Sequence, residues 1–260
     1  MPTLLHYSDV ENAFDRPERV ARLAAALQTP ADAVVVGSGD ILAPGALANE
    51  HEGRQALPFL EAARPAAETF GNHDFDFGTD ALQAIVKESP QPWVSANVTL
   101  PDVDIPQSVA VERNDGRISI TGVTAPDAIG DWLDGVGSTD PVDAARQATD
   151  RLRRDCDYVV LLAHVGDETA TTLAQETEAD VVCAGHIQNT VKQPYTQLGH
   201  LNAPMLPGES YQPRPSALLA SILCPLSRRV IALRRNHVGS IVYTLFRLRR
   251  RLRAYQNRLF

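Results

Sequence analysis

Short apolar runs, each closed by a polar cluster, recur through the first two thirds of this chain and alternate with stretches of helical spacing. TLLHYS, AVVVGSG, DYVVLLA and ADVVCAG are rich in β-forming residues. They predict strands at Thr3 to Tyr7, Ala33 to Val36, Tyr158 to Ala163 and Asp180 to Ala184, and a further strand is predicted at Trp93 to Val98. Between the first two, Val20, Leu23, Ala24 and Leu27 fall on one helical face of Pro17 to Gln28, with Asp15 as a cap and Pro17 just inside the start. Helices are also predicted at Gly53 to Ala63, Thr79 to Lys87, Pro141 to Arg154 and Glu168 to Glu176. The run SVAVERNDGRISITGVT has two alternating halves around Asn114-Asp115-Gly116, which signals a β-hairpin. Parallel βαβ units beside an antiparallel element predict mixed sheets in an α/β or α+β chain.

The residues that end the apolar runs are of types that can bind metals or move protons. Asp9 and Glu11 follow the first run and Asp40 the second. The segment GNHDFDFG, with Asn72, His73 and Asp76, follows Pro65 to Phe70, and the last two runs end at His164 and at His186 with Gln188. Strands ending this way gather residues distant in sequence at one sheet edge. Each residue also has a plain alternative: Asp40 as a turn cap, the histidines as strand-end residues, Asp76 as a helix-start acid near Thr79. Asp74 reads as solvated and His6 as structural, and His51, His200 and His237 have no ligand-like setting.

Taken in order, DxE, GD, GNHDFD, H and GHxQ resemble the calcineurin-like metallophosphoesterases, and most closely the catalytic domain of the 5'-nucleotidase family. SANV at Ser95 to Val98 is similar to that family too, and the resemblance covers about residues 3 to 190. It implies an α+β fold, a four-layer α-β-β-α sandwich with two mixed sheets. It also implies two divalent metal ions. Asp40 bridges them, Asp9 and Gln188 complete the first site, and Asn72, His164 and His186 the second. Gln188 stands where most of the wider superfamily has His, as in the nucleotidase branch. By the same resemblance His73 contacts the phosphate and protonates the leaving oxygen, with Asp76 holding its orientation, while a metal-activated water attacks phosphorus in line.

Glu11 departs from the family's D-x-H. A carboxylate there either binds the metal, favouring Mn²⁺ or Mg²⁺ over Zn²⁺, or points away. Mn²⁺ is the favoured cation, with Mg²⁺, Co²⁺ and Zn²⁺ as the other candidates. Full-length 5'-nucleotidases add a C-terminal domain that recognises the base, and the 72 residues after Gln188 are too few to hold it. The expected substrate is therefore a small phosphoester, with a nucleotide as one candidate. A 2',3'-cyclic-nucleotide phosphodiesterase, a calcineurin-like nuclease and an inactive member of the family stay open.

Charge divides the chain. Residues 1 to 191 carry 31 acids against 12 bases, whereas residues 192 to 260 carry one acid, Glu209, against 12 bases. The acidic body disfavours a nuclease, which needs a basic face. The division predicts a catalytic domain at 1 to 190 and an Arg-rich tail at 191 to 260. The tail reads either as a contact for nucleic acid or an acidic surface, or as a stretch from a shifted reading frame; Ser216 to Leu226 or Ile241 to Phe246 could instead supply a core strand. Cys156, Cys183 and Cys224 lack CxxC spacing and read as reduced thiols. No stretch approaches the roughly 18 to 20 apolar residues of a membrane span, and no basic and apolar leader opens the sequence, so a cytoplasmic location is expected.

Overall fold

The computed structural model describes residues 3–29, 31–126, 129–130 and 132–186, together with the backbone of two strands at 229–232 and 244–247. In chain order the strands are β1 (Thr3–Tyr7), β2 (Val34–Gly37), β3 (Ala67–Glu68), β4 (Val98–Thr99), β5 (Ser108–Arg113), β6 (Gly116–Thr124), β7 (Gly137–Ser138), β8 (Tyr158–His164), β9 (Val181–Gly185), β10 (Arg229–Ala232) and β11 (Thr244–Arg247). The helices are α1 (Pro17–Leu27), α2 (Ala46–His51), α3 (Leu57–Ala63), α4 (Gly78–Glu88), α5 (Pro141–Leu152) and α6 (Asp167–Glu176). No helix among the described residues is long and apolar enough to cross a membrane.

Two sheets, ordered β11-β1-β2-β3 and β10-β9-β8-β6-β5, face one another. Alternation along their strands explains the layers. Leu4, Val34, Val36 and Ala67 of the first sheet meet Ile118, Ile120, Tyr158, Val160, Leu162, Val181 and Cys183 of the second in one buried cluster. The residues between them point outward: Leu5, Tyr7 and Val35 pack under α1 and α3, and Val159, Leu161, Ala163 and Val182 under α5 and α6. Strands buried on both faces must be apolar throughout, which is why the central runs are unbroken. Each fully buried Val, Leu or Ile contributes about 1.5–3 kcal/mol of transfer free energy. The result is the four-layer α-β-β-α sandwich with mixed sheets. Strand β5 is antiparallel to β6, and β11 is antiparallel to β1.

Three expectations are corrected. Asp15 does not cap α1; its carboxylate accepts the Ala46 and Leu47 N–H groups, each at 2.9 Å, and so holds the start of the unpredicted α2. Gly53 to Ala63 is a 3-10 turn at Arg54–Ala56 followed by α3. Trp93 to Val98 is not a strand: Trp93 makes an isolated bridge to Glu68, and only Val98 and Thr99 are extended in a ladder. There the backbone donors divide among several partners, Val94 to Glu68 O at 2.8 Å, Ser95 to Pro106 O at 3.1 Å, Ala96 to Gly122 O at 2.7 Å, and Asn97 and Val98 to Ser95 Oγ at 3.3 and 3.0 Å, so no single ladder runs along the segment. The hairpin forms with a two-residue turn, Arg113 pairing with Gly116. Cys156 and Cys183 are buried free thiols.

Of the segments considered as extra core strands, Ser216 to Leu226 lies outside the described residues. The other, Ile241 to Phe246, overlaps β11, whose backbone pairs with β1 from Thr3–Arg247 to His6–Thr244; β10 pairs in parallel with β9. A chain ending near residue 193 would open the edges of β1 and β9. We expect it to melt at a lower temperature than the full chain, and equal melting temperatures would show that these pairings contribute nothing.

Candidate metal centre

The polar clusters meet at one end of both sheets, at the C-terminal ends of the parallel strands β1, β2, β8 and β9. Asp9 N–H donates to Gly39 O at 3.0 Å and Glu11 N–H to Asp40 O at 3.2 Å, so the turns after β1 and β2 are laced together. Seven non-glycine residues among those described have positive φ. Glu52 and Arg64 are helix C-caps, but Asp9 (53°), Glu11 (45°), Asp40 (56°) and His186 (63°) all come from the predicted ligand set. Left-handed backbone costs an L-residue on the order of 1–3 kcal/mol and persists only where the surroundings impose it. The strain thus concentrates where the chain must turn a carboxylate or imidazole inward.

Asp40 is the hub. It is buried, its Oδ1 accepts the His73 N–H at 2.8 Å, and its Oδ2 lies 3.2 Å from His164 Nε2. Asn72 Oδ1 approaches the same Nε2 at 3.1 Å. His164 Nδ1 donates to the Ser38 carbonyl at 2.8 Å, which directs Nε2 at Asp40 and Asn72. The His186 ring centroid is 5.0 Å from that of His164, and His186 N–H donates to Asp9 Oδ1 at 3.3 Å. Burial alone would lower His164, but the Asp40 carboxylate outweighs it and holds the imidazole well above its ordinary value. Burial opposes ionisation of Asp40, and His164 with the His73 N–H prevails and keeps it low.

Two groups of donor atoms each lie within 4.8 Å of one another: Asp40, His164 and His186; and Glu11, Asp40 and His73. Hard oxygen donors, imidazoles and a shared buried carboxylate fit divalent cations. The structure therefore brings Glu11, Asp40, Asn72, His73, His164 and His186 together. Asp9 reaches the same edge through its bond to His186 but belongs to neither group, and Gln188 lies outside the described residues. His73 Nδ1 sits 2.9 Å from Asp76 Oδ2, both about one third exposed. Burial would lower His73, and the carboxylates of Asp40, Asp76 and Glu11 raise it instead.

Residues 2–189 match the profile of the calcineurin-like phosphoesterases. The chain belongs to that family. Within it, the chain is similar to the 5'-nucleotidase of Diplobatis ommata, 28% identical over 152 residues, which cover 53% of this chain and 26% of that protein. A probable 5'-nucleotidase of Treponema pallidum (strain Nichols) is 27% identical over 186 residues, covering 67% of this chain and 31% of the relative. The solved structure of a 5'-nucleotidase precursor from Thermus thermophilus superposes with a TM-score of 0.64 at 25% identity, over 71% of this chain and 41% of that one. This calcineurin-like phosphoesterase thus spans from 26% to 41% of the length of these relatives. The family implies divalent metal ions as cofactors.

The sequence reading missed what holds the site. Asp74, read there as solvated, is 2% exposed. Its carboxylate accepts four backbone N–H groups: Gly71 at 2.7 Å, Asp40 at 3.0 Å, and Ile41 and Leu42 each at 2.9 Å. Burial and the Asp40 charge push Asp74 up to about 6, against donors that favour its charged form. Asn97 of SANV ties the end of β6 to the residue after β7, accepting Thr124 N–H at 2.9 Å and donating to Thr124 O and Thr139 O at 2.8 and 3.0 Å. His6 is structural as read: its Nε2 is 2.7 Å from Ser38 Oγ, and burial lowers it to about 3, keeping it neutral.

A cation must displace the proton from His164 Nε2, because a ligand imidazole is neutral. With His164 raised in the metal-free protein, that proton is present at neutral pH. Mn²⁺ binding near pH 7 should therefore release a proton and tighten as pH rises. Calorimetric titration in buffers of different ionisation enthalpy reads this directly; heats independent of buffer would mean that His164 is already neutral.

Proposed function

We propose that this chain hydrolyses small phosphomonoesters with a pair of divalent cations, Mn²⁺ favoured, and that the chemistry resides in residues 1–190. The observation that carries this reading is the single buried carboxylate of Asp40 shared between two donor groups. Asp40, Asn72, His164 and His186 would hold one cation and Asp40, Glu11 and Asp9 the other, with Gln188 added from the family pattern. The cations, when bound, offset the phosphate charge and acidify a water. Glu11, buried with its carboxylate in the second donor group, supports the oxygen-loving choice of metal.

His73 serves as the acid for the leaving oxygen. Its Nδ1 is engaged by Asp76, which leaves Nε2 as the nitrogen that can hand over a proton, and its partial exposure gives a substrate access. The carboxylates around it favour the protonated form that an acid needs. A cleft of about 450 Å³ beside His186, lined by Ala125, Pro126, Pro141, Gly166, Asp167, Glu168 and Thr169, offers room for the leaving group. Among the described residues its lining holds two acids, Asp167 and Glu168, with His186 and no lysine or arginine, which suits a small ester better than a polyanion. A larger apolar groove of about 550 Å³ under Phe14 and Phe59 contains none of the ligand candidates. The names of the relatives make 5'-nucleotides the first esters to try.

Purified protein should release phosphate from nucleotide or other small monoesters, most strongly with Mn²⁺ when Mg²⁺, Co²⁺ and Zn²⁺ are compared. His73→Ala should lower kcat by roughly 10²- to 10⁴-fold with unchanged metal content, and Asp76→Asn should cost less. Loss of metal in His73→Ala would make His73 a ligand, and no phosphate release with any cation would refute the proposed activity.

A further inference from the structure

Four acidic side chains among the described residues are buried: Glu11, Asp40, Asp74 and Glu68. The first two face the metal centre and the third ties its turns, but Glu68 has no place in the chemistry above. It is fully buried beneath the site. The sheet register explains how it is accommodated. Tyr7 pairs with Gly37, and Gly37 with Glu68, so the three form a row across β1, β2 and β3. The middle residue has no side chain, and a Cβ on Gly37 would overlap the Glu68 carboxylate. Glu68 therefore lies across Gly37 to reach the Tyr7 hydroxyl, which donates to its Oε2. Its Oε1 accepts the N–H of Gly39 at 3.2 Å. The Tyr7 ring is fixed in turn, edge-on to Phe59 at 5.3 Å between centroids.

Both contacts fall next to candidate ligands. Tyr7 is the last residue of β1, just ahead of Asp9, and Gly39 immediately precedes Asp40. One side chain thus grips the two strand ends that deliver the carboxylates. Burial opposes ionisation of Glu68 and pushes it up to about 8, so the fold retains an acid where an apolar residue would cost less. We propose that Glu68 is a positioning residue for the metal centre, which with Tyr7 sets the spacing of the turns that present Asp9 and Asp40 to the cations. This rests on the metal-site reading above.

The test uses the full chain, freed of metal, with Mn²⁺ alone as the probe, and reads affinity by calorimetry and stability by thermal melt. Glu68→Ala leaves the Gly39 N–H and Tyr7 hydroxyl without their acceptor, and should weaken Mn²⁺ binding roughly 10- to 100-fold. Glu68→Gln keeps an acceptor for Gly39 and a partner for Tyr7, and should restore most of that affinity. Tyr7→Phe should lose an intermediate amount. A Glu68→Ala protein that melts earlier yet binds Mn²⁺ as tightly as the unaltered chain would overturn the proposal, leaving Glu68 a structural residue only. Should Glu68→Ala not fold, unaltered affinity in Tyr7→Phe overturns it equally. An unaltered chain that binds no Mn²⁺ at all would instead sink the metal-site reading beneath it.

Discussion

One buried carboxylate holds the centre of this structure together. Asp74 takes four backbone N–H groups, three from residues 40–42 and one from Gly71, fastening the turn after β2 to the turn that opens GNHDFDFG. Without that acceptor the four donors would be buried and unsatisfied, each at a cost of about 1–3 kcal/mol. The position of Asp40 depends on this staple, because its own N–H is one of the four, and the His73 N–H then finds Asp40 Oδ1. Asn72, His73 and Asp40 are therefore set by a single interaction that never touches a substrate.

Around that staple the fold accumulates features that no folding requirement explains. Four ligand candidates sit in left-handed backbone, and three buried carboxylates, Glu11, Asp40 and Asp74, gather at this end of the sheets. His164 answers part of the charge of Asp40, and that carboxylate in turn holds the imidazole well above its ordinary value. A pair of divalent ions would do more: one would replace the proton on His164, the other would offset Glu11 and Asp9, and both would share Asp40. Strain and crowded negative charge are thus two aspects of one arrangement of the strand ends.

The strand-forming runs and the residues that close them were legible because burial on both faces favours apolar segments and gathers most polar residues at strand ends. That logic led to Asp40, His164 and His186, and the motif order led to Asn72, His73 and Asp76. The supporting acids were not legible. Asp74 sits among exposed-looking polar residues in NHDFD, and nothing local reveals that its partners are backbone groups far upstream. Glu68, in AAETF, is invisible for the opposite reason: its burial depends on Gly37 of the neighbouring strand, a pairing that its own segment does not announce. Trp93 to Val98 failed as a strand because its backbone donors divide among Glu68, Pro106, Gly122 and the Ser95 hydroxyl, a division that apolar content does not show.

The geometry points to two cations sharing Asp40 in a centre assembled from both sheets. Anomalous diffraction from crystals of the full chain grown with Mn²⁺ tests it most directly. The account predicts two peaks about 3.5–4 Å apart, both against Asp40, with His164, His186 and Asn72 around one and Glu11 with Asp9 around the other. A single ion that leaves Asp40 uncoordinated, or ions bound away from these strand ends, would contradict it.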